Sequence, residues 1–220
     1  MKKVFAFVAV AAALLVAGKA NAQLGVNVGY APQTWTSTYT NGNNTNTTTS
    51  SMTGFFAGVN YNVNISGDLN VSVGLQGRFN TGSDTTALNV VVAGASVENH
   101  KSQLLLDVPV LFNYGFGLGS AAKLSVFAGP TISYALSGKT KTITTVTALG
   151  NTTKDESVSN WYGDNSNLKQ LDISATLGVV LSYNQLRFFG GYNMGLLNLT
   201  TADNTTLKAS NVFFGVGMAL

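Results

Sequence analysis

The sequence predicts an all-β fold, an eight-stranded antiparallel up-and-down transmembrane β-barrel preceded by a cleavable signal peptide, and three observations carry that prediction. The first is alternation. Leu171, Ile173, Ala175, Leu177, Val179, Leu181 and Tyr183 are all apolar, while the interleaved Gln170, Asp172, Ser174, Thr176, Gly178, Val180 and Ser182 include one aliphatic side chain. A period of two over fourteen residues is a strand with two chemically opposite faces. The second is that connections between such strands alternate between long and short. The third is that the polar faces carry mainly Gly, Ser, Asn, Thr and Gln, with few charges.

The first 22 of the 220 residues form a separate object. Lys2 and Lys3 make a positive start, Val4 to Ala17 is an unbroken apolar run, and Ala20-Asn21-Ala22 supplies the small residues of a cleavage site. This pattern predicts a secretory signal peptide, 1–22, cut before Gln23, and leaves a barrel domain over 23–220. A membrane anchor is the alternative, but the run falls short of the ~20 residues a spanning helix needs. Lys2, Lys3 and Lys19 are three of twelve basic residues, so nine basic and nine acidic residues remain after cleavage. The formal net charge of +3 therefore belongs to the signal, and nucleic acid is excluded as an expected partner. Cysteine is absent, which removes disulfides, thiolate metal sites and cysteine nucleophiles.

The strands follow in order. Residues 23–36 alternate Leu24, Val26, Val28 and Tyr30 with Gly25, Asn27 and Gly29; 37–51 is a polar, low-complexity tract expected to be a long exposed loop. Met52 to about Ile65 sets Phe55, Ala57, Val59, Tyr61 and Val63 against Phe56, Gly58, Asn60 and Asn62. After a turn at 66–68, Leu69 to Thr81 sets Val71, Val73, Leu75 and Phe79 against Ser72, Gly74, Gln76 and Arg78. Residues 82–99 are a second long connection, whose centre is apolar enough to extend the strands or to fold over the barrel mouth. His100 to Tyr114 carries Leu104, Leu106, Val108, Val110 and Phe112 on one face; Gln103, Asp107, Pro109 and Asn113 lie on the other, with Leu105 and Leu111 as exceptions. A glycine-rich turn, 115–122, leads to Lys123–Leu136, and 137–168 is expected to be the longest loop. Leu171–Tyr183 and the run from Leu186 make a hairpin about Asn184-Gln185; 200–206 is a short loop, and the last strand runs from Leu207 to the terminus.

Alternation alone fits a soluble barrel as well as a membrane one, with the faces exchanged. The polar face decides between them, because a water-facing surface normally carries many Lys and Glu, whereas short polar residues fill the narrow interior of an eight-stranded barrel. Fourteen residues span about 46 Å, or about 35 Å of height at a tilt of ~40°, enough to cross an apolar band of ~25 Å. Ring closure also satisfies every backbone donor and acceptor in lipid. Aromatics near strand ends (Tyr30, Phe55, Tyr61, Phe79, Tyr114, Tyr134, Tyr183, Tyr192) suit the two interfaces.

Three segments carry a family resemblance. Leu106-Asp107-Val108-Pro109-Val110-Leu111-Phe112-Asn113-Tyr114 resembles the L-acidic-I-P-L-L-L-K-Y strand of the Bacteroidetes outer-membrane β-barrel family that includes PorT-like proteins. Asp172, Gly178, Arg187, Gly191-Tyr192, Gly195-Leu196 and Asn198 match its penultimate hairpin, and 211–220 resembles its closing strand. Asn113 stands where that family commonly has Lys, and Leu220 where many outer-membrane proteins end in Phe. The resemblance implies an eight-stranded barrel in the outer membrane of a Gram-negative cell, delivered by the barrel-assembly machinery and surrounded by lipid. It brings no catalytic residues. Asp84-Thr85-Thr86 is similar to the O-glycosylation acceptor of Bacteroidetes.

Four charges fall on the polar faces, Arg78, Asp107, Asp172 and Arg187, and are expected to pair across the lumen, with Asp172 and Arg187 facing each other. A plug that holds the barrel closed is favoured over a gated polar path. His100 stands about 23 Å along its strand from Asp107, so no triad forms with Ser102, and neither a metal-ligand spacing nor a phosphate loop is present. No cofactor and no enzymatic activity are expected. The leading expectation is a non-enzymatic envelope protein whose loops present the working surface to an envelope or surface partner. Alternatives are a small-solute or lipidic-ligand conduit through the lumen and a soluble periplasmic ligand-binding barrel.

Overall fold

Ten strands follow one another in the described residues: β1 (Ala22–Tyr30), β2 (Gln33–Asn41), β3 (Asn44–Ser66), β4 (Leu69–Val90), β5 (Ala93–Gly117), β6 (Ala122–Ala148), β7 (Asn151–Asn160), β8 (Leu171–Tyr183), β9 (Leu186–Gly195) and β10 (Thr205–Ala219). The structure, a computed structural model, describes residues 22–90, 93–119, 121–148, 151–163 and 166–220. The expected signal peptide, apart from Ala22, lies outside them.

All pairings are antiparallel and the ring closes, because β10 pairs with β9 on one side and with β1 and β2 on the other. β1 and β2 are one stave of the wall. Both pair with β3 and β10 in a single register (Tyr30↔Phe55 then Gln33↔Met52; Tyr30↔Phe214 then Gln33↔Asn211). Pro32 interrupts the ladder because it has no N–H to donate, while Ala31 still donates to the Gly54 carbonyl at 2.8 Å. With that pair counted once, and β7 set outside the ring, the wall has the eight staves the sequence predicts. The short turns fall at 67–68 and 184–185, where Gly67 (φ 52°) and Asn184 (φ 51°) supply the left-handed residue a two-residue hairpin needs.

The long connections are the part of the reading that changes. Residues 37–51 are not an exposed loop but the upper arms of the β2–β3 hairpin, turning at Gly42 (φ 58°). Residues 82–90 continue β4 and pair with 93–101 of β5, while 137–148 continue β6, in which 139–148 pair with 151–160 as β7. For 82–99 this is one of the two outcomes its apolar centre allows, whereas the sequence hid the arms at 37–51 and 137–160 because both of their faces meet water and no apolar alternation marks them. β-Branched threonine nonetheless favours extended backbone, and the hydroxyls pair across strands, as Thr38 does with Thr47 (3.3 Å) and Thr34 with Ser51 (3.4 Å). Above the barrel, β4, β5, β6 and β7 thus form a projecting four-stranded sheet, about 30 Å tall for ~9 residues per strand.

Candidate functional site

The molecule is apolar outside. Leu177, Val179, Leu181 and Tyr183 of β8, Phe188, Tyr192 and Met194 of β9, and Val212, Phe214 and Val216 of β10 are all exposed. Around the wall, Tyr30 packs against Phe55 and Phe214, each with ring centroids 5.3 Å apart, in an outward aromatic band. The buried side chains are by contrast largely polar: Asn27, Gln33, Arg78, Asn80, Gln103, Asp107, Asn113, Thr131, Ser174, Thr176 and Asn211. Candidate functional chemistry therefore lies in the lumen or above the rim.

Two registers of the lumen carry an aromatic motif. Phe127, Gly178, Gly191 and Phe213 are successive partners across β6, β8, β9 and β10. Phe189, Gly215, Gly29 and Phe56 are successive partners across β9, β10, β1 and β3. Each ring lies over a glycine: a Cβ on Gly191 would stand 2.6 Å from the Phe213 ring, one on Gly215 2.7 Å from Phe189, and those on Gly29 and Gly178 would overlap Phe56 and Phe127. The four rings touch in sequence, Phe56–Phe189–Phe213–Phe127, with centroids 6.1, 6.5 and 6.2 Å apart. Alternation sets Phe56 on the polar face without showing a purpose for it. The legible signal was an aromatic repeatedly placed opposite a glycine, which fills a narrow barrel by alternating large and small residues.

Beside the rings sits the charge pair. Arg78 Nε lies 2.8 Å from Asp107 Oδ2, Nη2 donates to Oδ1 at 3.2 Å, and Nη1 donates to Asn211 Oδ1 at 3.0 Å. Asn193 Nδ2 donates to the same Asn211 oxygen at 3.2 Å. The guanidinium reaches both carboxylate oxygens, one by a hydrogen bond and the other as a close ion pair, which makes the buried pair tolerable. Asp172 senses the charges of both Arg78 and Asp107 but keeps an unpartnered, buried Oδ1. Arg187 is elsewhere, donating to Gln23 Oε1 at 2.8 Å. The expected pairing of Asp172 with Arg187 is thus corrected. In the hairpin Arg187 registers with Ser182, ten residues along β8 from Asp172, a separation of roughly 33 Å. Of the four charges, the fold joins Arg78 to Asp107, leaves Asp172 near them, and sends Arg187 to the opposite rim.

A cap closes the long-hairpin end. Asn80, fully buried, donates through Nδ2 to Gln33 and to Gln103 (3.1 Å), and Gln103 Nε2 donates to the Tyr162 hydroxyl at 2.7 Å. Trp161 Nε1 donates to Thr140 Oγ1 at 2.7 Å, and its ring packs on Trp35 at 5.2 Å. Gly138 lets this turn settle, since a Cβ there would stand 2.6 Å from the Trp161 ring and 2.7 Å from that of Tyr162. Leu199, Leu207 and Ala209, with Trp35 and Leu168 packed against them, complete an apolar cluster beside it. Burial pushes the Tyr162 hydroxyl above the ordinary tyrosine value, the Gln103 hydrogen bond opposes the rise, and the Asp172 charge adds to it.

Below Arg78 and Asp107 the lumen widens into a cavity of about 610 Å³ that reaches the short-turn rim. His100 is half exposed, with Nε2 3.8 Å from Glu98 Oε2, on the projecting sheet. Among the described residues no cluster of His, Asp or Glu is arranged to hold a metal. Asp84, in the glycosylation-like triplet, is ion-paired to Lys101 at 2.5 Å, while Thr85 and Thr86 are exposed.

A family model described as outer membrane protein beta-barrel domain matches residues 17–201. Among curated proteins none matches the chain significantly. Similar solved structures include Ail, the attachment invasion locus protein of Yersinia pestis, at 12% identity and a TM-score of 0.35, covering 91% of this chain and 99% of that one. Neisserial surface protein A is similar at 12% identity and a TM-score of 0.36, covering 88% of this chain and 96% of that one. The outer membrane enzyme PagL is similar at 10% identity and a TM-score of 0.41, covering 86% and 99%.

Proposed function

The chain belongs to the outer membrane protein beta-barrel domain family, and from that premise we propose that it is a non-enzymatic envelope protein whose projecting sheet is its working surface. The observation that carries this reading is the coincidence of a capped lumen with a sheet whose outer strand, β7, is exposed along its whole length. Short turns of such barrels lie in the periplasm and long connections outside the cell. On that orientation β4–β7 and the β2–β3 hairpin stand clear of the membrane, where an envelope or surface protein can meet them. The signal peptide would be cut before Gln23, the assembly machinery would insert the barrel, and lipid would cover its apolar wall. The 106–114 strand and the 172–198 motif support placing it with the PorT-like members of Bacteroidetes.

The natural chain has no cysteine, so single cysteines report sidedness cleanly. Thr48→Cys and Glu156→Cys should react with a membrane-impermeant maleimide on intact cells, and Gln185→Cys only after permeabilisation. The reverse pattern would invert the orientation and end the proposal, and so would recovery of the protein in the soluble fraction. The conduit reading draws on the polar cavity but has the cap against it. A large, steady conductance in planar bilayers would favour it instead.

A further inference from the structure

The cavity below Arg78 and Asp107 has a chemistry that the cap and the projecting sheet do not use. It reaches the rim at Asn64, Asn70, Gly119 and Asn184, the short-turn side, which in an outer-membrane barrel faces the periplasm. Its volume of about 610 Å³ lies within the range of ligand pockets, roughly 300–1,000 Å³. Nine of the described asparagines line it, an amide density that a lumen filled only for packing does not require.

Two of those amides are left half-satisfied. Asn27 Nδ2 donates to Asn60 at 3.3 Å and Asn193 Nδ2 donates to Asn211 at 3.2 Å, while the Oδ1 of each is buried with no partner in the protein. Those two oxygens are walled off from the cavity, and the amides it offers a ligand are the half-buried ones of Asn60, Asn62 and Asn70. Phe127, Phe189 and Phe213 line the same walls, so apolar ring faces stand among the amides. The cavity also has an uneven charge. Arg78 is matched by Asp107 at 2.8 Å and Lys123 by Asp68 at 3.0 Å, whereas Arg187 has only the neutral Gln23 and no carboxylate partner among the described residues.

We infer that this cavity is a binding site for a short saccharide carrying a carboxylate. Sugar hydroxyls exchange hydrogen bonds with the half-buried amides of Asn60, Asn62 and Asn70, the C–H face of a sugar ring lies on a phenylalanine face, and the carboxylate pairs with Arg187 near the mouth. A purely apolar ligand would strip water from the lining amides without replacing its hydrogen bonds. A phosphorylated ligand of higher charge would find one free cation where it needs several.

The test is calorimetric titration of the folded barrel in nanodiscs with three disaccharides. One is an N-acetylglucosamine–N-acetylmuramic acid disaccharide, the second is digalacturonic acid, and the third is the neutral N,N′-diacetylchitobiose. At least one acidic sugar should bind about ten-fold or more tighter than the neutral one. Which acid wins tells a cell-wall glycan from a uronic-acid polysaccharide. Arg187→Gln should bring the acidic-to-neutral ratio to about one, Arg187→Lys should restore part of it, and Asn60→Leu should weaken all three. A heat-modifiable gel shift verifies that each variant is folded. No binding by any sugar overturns the inference, as does equal binding of acidic and neutral sugars or a preference that survives Arg187→Gln. Binding that shifts the emission of Trp35 and Trp161, which sit in the opposite cap, places the ligand at the wrong end and overturns it too.

Discussion

At Arg78 one guanidinium serves both oxygens of Asp107 and one of Asn211, all buried in the lumen. Arg78→Met therefore leaves a carboxylate enclosed without a counter-charge, close enough to Asp172 to feel its field, and should cost about 3–5 kcal/mol. The double variant Arg78→Met/Asp107→Leu removes both charges and should regain most of that loss. The temperature at which each folded band converts to the unfolded one on a gel measures this, and equal losses in the single and double variants would show that the pair carries no special weight. The lumen glycines are equally position-specific. Gly215→Ala places a Cβ 2.5 Å from the Val28 carbonyl and 2.7 Å from the Phe189 ring, an overpacking cost of about 1–3 kcal/mol. Gly77→Ala, on the outer face with nothing within 4 Å, should change stability by less than about 0.5 kcal/mol. The faces of Arg78 and Asp107 were legible in the sequence because alternation sets the side of every residue. Their distance from Arg187 was not, since it depends on the height of each residue along its stave.

At the scale of elements, the residues just after β7 do what no strand of the wall does: Trp161 and Tyr162 reach over the lumen to Trp35 and Gln103. Both tryptophans of the chain, Trp35 and Trp161, lie in this cap, so intrinsic emission reports on it alone. Tyr162 is held in its protonated form more strongly in the folded cap than in the open chain, because burial raises its pKa. The contribution is therefore fully present below the ordinary tyrosine value of 10.0 and is lost as pH rises through the raised value. Tryptophan emission should move to longer wavelength at alkaline pH in the natural protein, and Tyr162→Phe should remove that step; an unchanged step would assign it to other groups. The hairpin arms at 37–51 and 137–160 were read as loops for a related reason. Strands wet on both faces show composition but no period, and only their partners, such as Tyr39↔Asn46 or Thr144↔Asp155, identify them.

For the molecule as a whole, an outward wall of Leu, Val, Phe and Tyr and an inward set of Asn, Ser and Thr reverse the usual soluble arrangement. The protein should fractionate with the outer membrane and show a heat-modifiable shift, and it should pass little current in a planar bilayer because Asn80, Gln103 and Tyr162 close one end. A steady large conductance would require the cap to be displaced. The sequence by itself determined the class, the strand faces, the number of staves and the sides of the four lumen charges, because a period of two and a nearly charge-free polar face are local properties. The tertiary structure alone decided which charges meet, that aromatic rings are seated on glycines of neighbouring strands, that the long connections stand up as a sheet, and that the lumen is capped at one end and open at the other. Those depend on register between strands distant in sequence, and a chain read one residue at a time carries the side of each residue but not its height in the barrel.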